Sequence, residues 1–476
     1  MPHILYELDD GTFKFGPASD DGQSLWADNR TNDKDPEFIG KTINALGTFQ
    51  SRLCLLAGDR FVASSTSNLF RFFRGNAVQQ LATDPISIGS TVARGSDFEF
   101  MIEHNRDLMI FGKEGQFKIS GSVALTAATA AITRTAKYDY SRFCRPIASG
   151  SDIMYAYSYG ESDGVQRYTV DDGRYGMDTA NSITKHCDLL IGGTIRQLVA
   201  APNFNILAGV SEFGNDIFVA EYDSDEDIYA WSTWTLPFNL KVAYLLIDSD
   251  RMIVFAEENE QLVVMSCELI ASKLDSIYNR VHLDKKVLGT VINQEIEDIY
   301  DLPISTNPDE LLEVVYLDGD YAGDTAPWDH VGTGITITEP VPDGTTVAVG
   351  YRYTSEYTPM KIRVRDEGGH LQSKANLRLT SYKLSLINTL KLDAAIVPTH
   401  ATSPTTDYTA KWDGLVSGSI NAVTDSLTHD DEAIFHIPVG IKSTEHQLNI
   451  TTDSYFPATI ASIEWQGKYI KRGRRF

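Results

Sequence analysis

The feature that most limits how this chain can fold is a strand–turn–strand unit that recurs through its first half. The first copy runs RLCLLAG from Arg52, turns at Gly58-Asp59, and returns as RFVASST. Later leading strands are RDLMIFGK from Arg106, DIMYAYSYG from Asp152, FNILAGVSE from Phe204 and DRMIVFAEE from Asp250. Their partners are GQFKISG, GVQRYTV, NDIFVAEYD and EQLVVMSCEL. The anchor positions Leu53, Leu108, Ile153, Ile206 and Met252 lie 55, 45, 53 and 46 residues apart. A unit of four short strands needs roughly 40–50 residues, so each interval holds one.

One strand says how the units must be arranged. In DIFVAEYD, Ile217 and Val219 point one way, and Phe218 and Ala220 point the other. A strand that is apolar on both faces has to be covered on both. Sheets stacked radially cover one another and leave only short edges exposed. The expectation for residues 45–270 is therefore a β-propeller, or a closely related all-β ring, of five to seven blades. A β-sandwich with long loops stays open as the rival.

Beyond residue 270 the character changes. Residues 271–350 hold 15 Asp and Glu against 4 Lys and Arg. Strand patches alternate there with Gly, Asp and Pro turns, as expected of an acidic β insertion. In KIRVRD, Ile362 and Val364 share one face and Arg363 and Arg365 the other. Alternating strands continue to the end, so residues 351–476 read as a β-sandwich-like domain. Residues 1–44 read as an extended segment. The fold class expected is all-β: a propeller, a small inserted β-module and a C-terminal sandwich-like domain.

Composition narrows the function classes. The longest apolar stretch, KVAYLLI at 241–247, is too short to span a bilayer. The start, MPHILYELDDGTFKFG, lacks the pattern of a signal peptide, so neither a leader nor a membrane anchor is expected. Cys54, Cys144, Cys187 and Cys267 stand far apart, which excludes CxxC metal or redox spacing. The formal net charge of −24 opposes tight phosphate binding. It is compatible with a duplex passing along a wall that repels it.

Motifs for chemistry are missing. There is no P-loop, dinucleotide fingerprint, HExxH or GxSxG. HDDE at 429–432 sets His429 beside three carboxylates and reads as an exposed acidic turn. DSDED at 223–227 begins like a calcium loop but has Ile228 where the glycine belongs; it reads as a hairpin turn. Trp231 and Trp234, three apart on an extended chain, point to opposite faces, which suits packing better than sugar stacking. No pair of carboxylates stands out for glycoside hydrolysis. No catalytic, cofactor-binding or metal-binding residue is assigned, and no cofactor is expected. The terminus KYIKRGRRF is a cationic cluster on an acidic chain, with Lys468, Lys471, Arg472, Arg474 and Arg475 in nine residues. Its Lys471, Arg472, Arg474 and Arg475 are candidate partner-contact residues for nucleic acid or an acidic face of another subunit.

Three stretches resemble one known family. FQSRLCLLAGDRFVASSTSNLFRFF is similar to an arginine-leucine strand followed by a Ser-x-Thr-Ser segment and an aromatic strand. ISGSVALTAATAAITRTAKYDYSRFCRP, ending in Arg145-Pro146, is similar to the stretch after the second blade. IASIEWQGKYIKRGRRF, with Trp465, Gly467, Tyr469 and Lys471-Arg472, resembles the characteristic terminus. The family is tail tubular protein B, the nozzle protein of short-tailed phages. Members usually carry a further segment before the equivalent of MPHILYELDDGTFKFG, where this sequence begins.

The resemblance implies a structural virion tail protein, not an enzyme, made in the host cytoplasm. It implies a hexameric ring below the tail adaptor that continues the DNA ejection channel and retains or gates the genome. The implied partners are further copies of the chain, the adaptor protein, a tail fibre protein and double-stranded DNA passing through an acidic lumen. Two other classes stay open: a carbohydrate-binding or carbohydrate-cleaving propeller, and a cellular scaffold propeller.

Overall fold

The computed structural model describes residues 3–470 apart from 9, 18, 21–22, 25–34, 75–77, 91–94, 96, 171–177, 188–189, 224–225, 238–239, 259, 271–274, 276–279, 298–310, 320, 332–333, 366–375, 400–407, 414, 421–426 and 430–431. The protein is all-β. Among the described residues there is no α-helix, and the helical element with defined ends is the 3-10 turn Pro202–Phe204. Two compact units divide the chain, Met1–Leu269 and Ile270–Phe476.

After the two short pairs His3–Glu7 with Phe13–Pro17 and Ser19–Asp20 with Gln23–Ser24, the described residues of the first unit form five larger antiparallel sheets in chain order. The first is Ile43–Phe49, Arg52–Ala57, Arg60–Ala63 and Ile86–Gly89. The second is Phe98–His104, Asp107–Gly112, Gly115–Ile119 and Thr133–Ala136. The third is Ile147–Ser149, Asp152–Tyr159, Ser162–Thr169 and Thr179–Ser182. The fourth is Ile195–Ala201, Ile206–Ser211, Asp216–Asp223 and Ile228–Thr235. The fifth has three strands: Lys241–Asp248, Arg251–Glu258 and Gln261–Glu268. Each anchor position expected from the sequence falls on the second strand of its sheet.

The side chains fix the order of stacking. Leu108 and Ile110 join a core with Leu56 and Phe61 of the first sheet, while Met109 and Phe111 join one with Ile153 and Tyr155 of the third. Met154 and Ala156 then face Leu207, Phe218 and Ala220 of the fourth. Ile217 and Val219 face Val242, Leu245, Met252 and Val254 of the fifth. The strand expected to need cover on both sides has it. Gly209 pairs with Phe218, and a Cβ there would fall 2.4 Å from the Phe218 ring, so only glycine leaves room for that ring. The far face of the first sheet, Leu55 and Val62, lies under Phe38 and Phe72.

In the second unit a six-stranded sheet has the order Leu312–Tyr316, Thr346–Tyr351, Asp284–Ile292, Glu295–Glu297, Gly334–Ile337 and Trp328–Val331. The two-stranded pair Leu415–Ile420 with Leu427–His429 and two larger sheets follow. One contains Ser355–Tyr357, His446–Thr452, Lys391–Pro398 and Tyr408–Asp413; the other contains Glu432–Pro438, Asn376–Ile387 and Thr459–Ile470. They share one core of Leu379, Leu384, Leu386, Ala394, Ile396, Ile437, Leu448 and Ile450. Ile362 and Val364 pack against it as their alternation predicts, although residues 361–364 form no regular strand.

Candidate assembly surfaces

Several polar side chains of the first unit fasten neighbouring sheets. Gln197 lies on the first strand of the fourth sheet. Its Nε2 donates to the Leu245 carbonyl at 2.7 Å and its Oε1 accepts from the Leu245 N–H at 2.8 Å. Gln50 does the same between Gly121 O, at 3.2 Å, and Leu125 N, at 2.7 Å. Ser149 Oγ and Tyr222 OH are 2.7 Å apart between the third and fourth sheets.

The acidic turn at 223–227 belongs to one of these fastenings. Arg167 reaches from the third sheet to Asp227 Oδ1 at 3.1 Å and donates to Tyr229 OH at 3.0 Å. Its guanidinium lies 5.8 Å from the Tyr229 ring centroid. Arg52 is the largest fully buried side chain among the described residues. It is 1% exposed, and it donates to the carbonyls of Ser64 at 2.6 Å, Asp84 at 2.8 Å and Ala82 at 2.8 Å. Nothing in the sequence marked it out from a surface arginine except its place at the head of an apolar strand.

The tryptophans separate as expected of an extended chain. Trp231 packs on Phe218 at a centroid distance of 6.2 Å and donates to the Ile183 carbonyl at 3.0 Å, while Trp234 is exposed. In HDDE, His429 ends the strand Leu427–His429, Glu432 opens the edge strand Glu432–Pro438, and Asp430 and Asp431 lie outside the described residues. Among the described residues no group of three or more His, Cys, Asp or Glu is placed to hold a metal ion. Burial pushes the Cys54 and Cys144 thiols up to about 12, so neither is a ready nucleophile.

The acidic segment is less of a uniform surface than its composition implies. Asp275 bonds Lys286 Nζ at 2.7 Å and the Val281 N–H at 2.8 Å. Glu313 pairs with Arg352 at 3.0 Å. Asp318 and Asp343 accept the backbone N–H groups of Thr346 and Asn293. Desolvation raises Asp284 to about 6. Glu295, Asp329 and Glu339 remain exposed.

Among the described residues, exposed large apolar side chains gather on surfaces that include the following. The N-terminal hairpin His3–Glu7 and Phe13–Pro17 turns Phe13 and Phe15 to solvent. The fifth sheet exposes Tyr244, Leu246, Leu262 and Val264 on the face away from the fourth. The edge strand Thr459–Ile470 leaves Trp465 and Tyr469 nearly half exposed. Lys471, Arg472, Arg474 and Arg475 follow that strand directly and lie outside the described residues.

Comparison with known proteins decides what these surfaces belong to. The sequence pattern of the family described as bacteriophage nozzle protein matches residues 1–476. The chain belongs to the bacteriophage nozzle protein family. It is a structural protein of the phage tail and a component of the virion. The tail tubular protein gp12 of Escherichia phage T7 is 22% identical over 99% of this chain and 61% of its own length. The chain thus spans about three fifths of that relative.

Solved structures overlap it only loosely. A candidate 6-phosphogluconolactonase from Bacteroides fragilis has 12% identity and a TM-score of 0.32 over 49% of this chain and 64% of its own. Hsv2p of Kluyveromyces lactis has 8% identity and a TM-score of 0.28 over 48% and 75%. Superpositions that loose carry no argument. Among the described residues no helix is long and apolar enough to cross a membrane. The nozzle-like terminus has one local requirement: at Gly467 a Cβ would sit 2.8 Å from the Arg378 carbonyl.

Proposed function

We propose that this chain is the subunit of a hexameric nozzle ring that continues the DNA ejection channel below the tail adaptor, retains or gates the genome, and helps seat the tail fibres. In this reading residues 45–270 form a β-propeller. Residues 271–350 are an acidic module at the lumen or distal tip, and residues 351–476 are a sandwich-like platform. The observation that carries it is the family match together with strands such as Asp216–Asp223, whose two apolar faces bury in two different cores. Such strands favour sheets arranged in series around an axis over sheets arranged around a pocket.

Charge supports the channel. Six copies would carry about −144, from −24 on each, and a wall of that sign repels duplex phosphates instead of holding them. The cationic residues Lys471, Arg472, Arg474 and Arg475 are proposed to dock on an acidic partner surface. Deleting 470–476 then weakens assembly and leaves the melting of the free chain unchanged; assembly at full strength retires the docking role. Imaging the tail particle tests the whole reading. A six-fold ring is expected, with the carboxylates of 271–350 facing the channel or the tip. An outer-rim position for them, or a lone subunit that cleaves sugar, overturns it.

A further inference from the structure

The connection from the second sheet of the first unit to the third, residues 137–146, is built to hold one aromatic ring out in water. It is pinned on both sides of that ring. The Ser141 N–H donates to the Ala156 carbonyl at 2.7 Å. Cys144 is 1% exposed, in one core with Met154, Val165 and Leu198, and Pro146 is buried. Arg142 pairs with Glu99, which also accepts from Tyr140 OH at 2.7 Å. Between these fixed points Phe143 is 76% exposed. Its exposure follows from the backbone on either side and not from a loose loop. The surroundings are cationic on an acidic chain: residues 134–145 hold Arg134, Lys137, Arg142 and Arg145 against Asp139 alone. Lys137 is paired with Glu114 and Arg142 with Glu99, while Arg145 is exposed beside the ring. A rigid aromatic flanked by arginine is the composition of an interface anchor.

The same chain carries a surface of the opposite kind. One face of the fifth sheet packs on the fourth through Val242, Leu245, Met252 and Val254. The other carries the cross-strand row Tyr244–Phe255–Val264, with Leu262 on the same face opposite Glu257. Leu262 is 67% exposed, Val264 55% and Tyr244 53%. At the turn end of this face Glu257 and Glu260 are exposed beside Lys241. The result is an apolar patch with an acidic rim. A patch of that kind on a soluble chain marks a protein-binding surface.

We propose that these two surfaces meet between copies. Phe143 of one chain seats on Leu262, Val264, Tyr244 and Phe255 of the next, and Arg145 pairs with Glu257 on the rim. Within one copy both surfaces stay exposed, so neither covers the other. Complementarity selects this occupant: a nucleic-acid duplex offers Arg145 its phosphates but gives Phe143 no apolar seat, whereas the fifth sheet supplies both the seat and the carboxylates. A single aromatic anchor makes a small interface, so two free chains pair weakly. A contact between two different patches, repeated head to tail, closes into a ring, and closure multiplies the weak contact. That closure rests on the ring proposed above; the pairing itself does not.

Photo-cross-linking of the full chain tests it, with p-benzoylphenylalanine in place of Phe143 so that the aromatic tip is kept. Mixed with isotope-labelled chain, it should join position 143 of one copy to a peptide from 241–268 of another. Arg145→Glu on the tip should lower the yield about tenfold, and Glu257→Arg on the labelled chain should restore it. Rescue from a second chain is a result that a merely structural role of Arg145 does not give. Phe143→Ser with Arg145→Glu should leave the melting of the free chain unchanged. A cross-link confined to one chain, a cross-link to another segment, no cross-link, or no rescue overturns the pairing. So does the absence of the cross-link together with binding to phosphatidylglycerol vesicles that the double variant loses, which assigns the tip to a membrane. A six-copy assembly that forms regardless of the double variant overturns the pairing while the ring stands. The expected cross-link in a tail particle without six-fold order keeps the pairing and retires the ring.

Discussion

Strand Asp216–Asp223 of the first unit and strand Asn376–Ile387 of the second solve the same problem in different ways. In the first, Ile217, Phe218, Val219 and Ala220 are all buried, and alternate residues enter two separate cores. In the second, Leu377, Leu379, Leu384 and Leu386 point into one core, and Arg378, Thr380, Lys383 and Ser385 do not. A strand with one apolar face is satisfied by one partner sheet. A strand with two needs two, and each partner then needs another. The first kind stops at a pair of sheets, whereas the second propagates into a series with two ends. One end of this series, at the first sheet, is covered by Phe38 and Phe72; the other, at the fifth sheet, has no cover among the described residues.

The sharpest way to break this comparison is to truncate neighbouring residues in each strand. Phe218→Ala should cost about 3–5 kcal/mol and Val219→Ala about 2 kcal/mol, since each opens a cavity in its own core. Leu384→Ala should cost about 2–5 kcal/mol, but its neighbour Lys383→Ala less than about 0.5 kcal/mol. Denaturant unfolding followed for each unit reads these differences. A cheap Val219→Ala would mean that the second face of Asp216–Asp223 is not truly packed.

Arg52 tests how the covered end of the series is held. Its guanidinium satisfies three carbonyls of the loop between the third and fourth strands of the first sheet. Arg52→Met keeps the volume but leaves those acceptors without donors, so a loss of about 2–4 kcal/mol is expected. Arg52→Lys should recover only part of it, because an ammonium cannot reach three carbonyls spread as a planar fork does. A loss below about 1 kcal/mol would show that water replaces the side chain without cost.

Much of this was legible beforehand because it depends on periodicity. Two-sided burial of Asp216–Asp223 follows from four apolar residues in a row, and the five anchors follow from apolar pairs around a turn. The opposite faces of Trp231 and Trp234 follow from the two-residue period of an extended chain. What escaped depends on partners distant in sequence. The first strands of the first four sheets, such as Ile147–Ser149, are short or mixed in character and carry little signal of their own. Arg52 at the head of an apolar strand looks like any surface arginine until the carbonyls 12 to 32 residues away converge on it. The exposed face of the fifth sheet was partly visible: KVAYLLI and QLVVMS are apolar on both faces, and among the described residues no later segment supplies the second cover. The basic residues of the terminus lie outside the described residues, so their reading rests on sequence.

The second unit differs from the first in its response to pH. Desolvation raises Asp284, Glu313 and Asp324, all in the second unit. In the first unit Asp59, paired with Lys41, is lowered. Asp284 sits at about 6 in the folded chain against an ordinary 3.8. Between those values the native state keeps a proton that the unfolded chain has released, so stability falls as pH rises from about 4 to 7. The fall is about 2–3 kcal/mol. Asp284→Asn should remove that slope, making the variant the more stable at pH 8 and nearly equal to the parent at pH 3.5. Melting of the second unit across this range decides it, and an unchanged slope would assign the titration elsewhere.

The smallest expected effect concerns how consecutive sheets are kept in register. Apolar faces alone can slide over one another. The Gln197 amide acts as a short piece of backbone, closing two hydrogen bonds on Leu245 of the next sheet. Gln197→Leu leaves one N–H and one C=O unpaired at a half-buried joint, for a loss of about 1–2 kcal/mol. Gln197→Glu keeps the acceptor but loses the donor, so it should fall between the two. The equivalent change on the one-faced strand, at Ser385, should cost almost nothing, because its hydroxyl bonds only Ser462 on an exposed face. If hydrogen exchange at Leu245 speeds up in Gln197→Leu while the fourth sheet stays protected, the joint acts locally. If both sheets open together, the series is one cooperative body, and its open end at the fifth sheet becomes the place where opening begins.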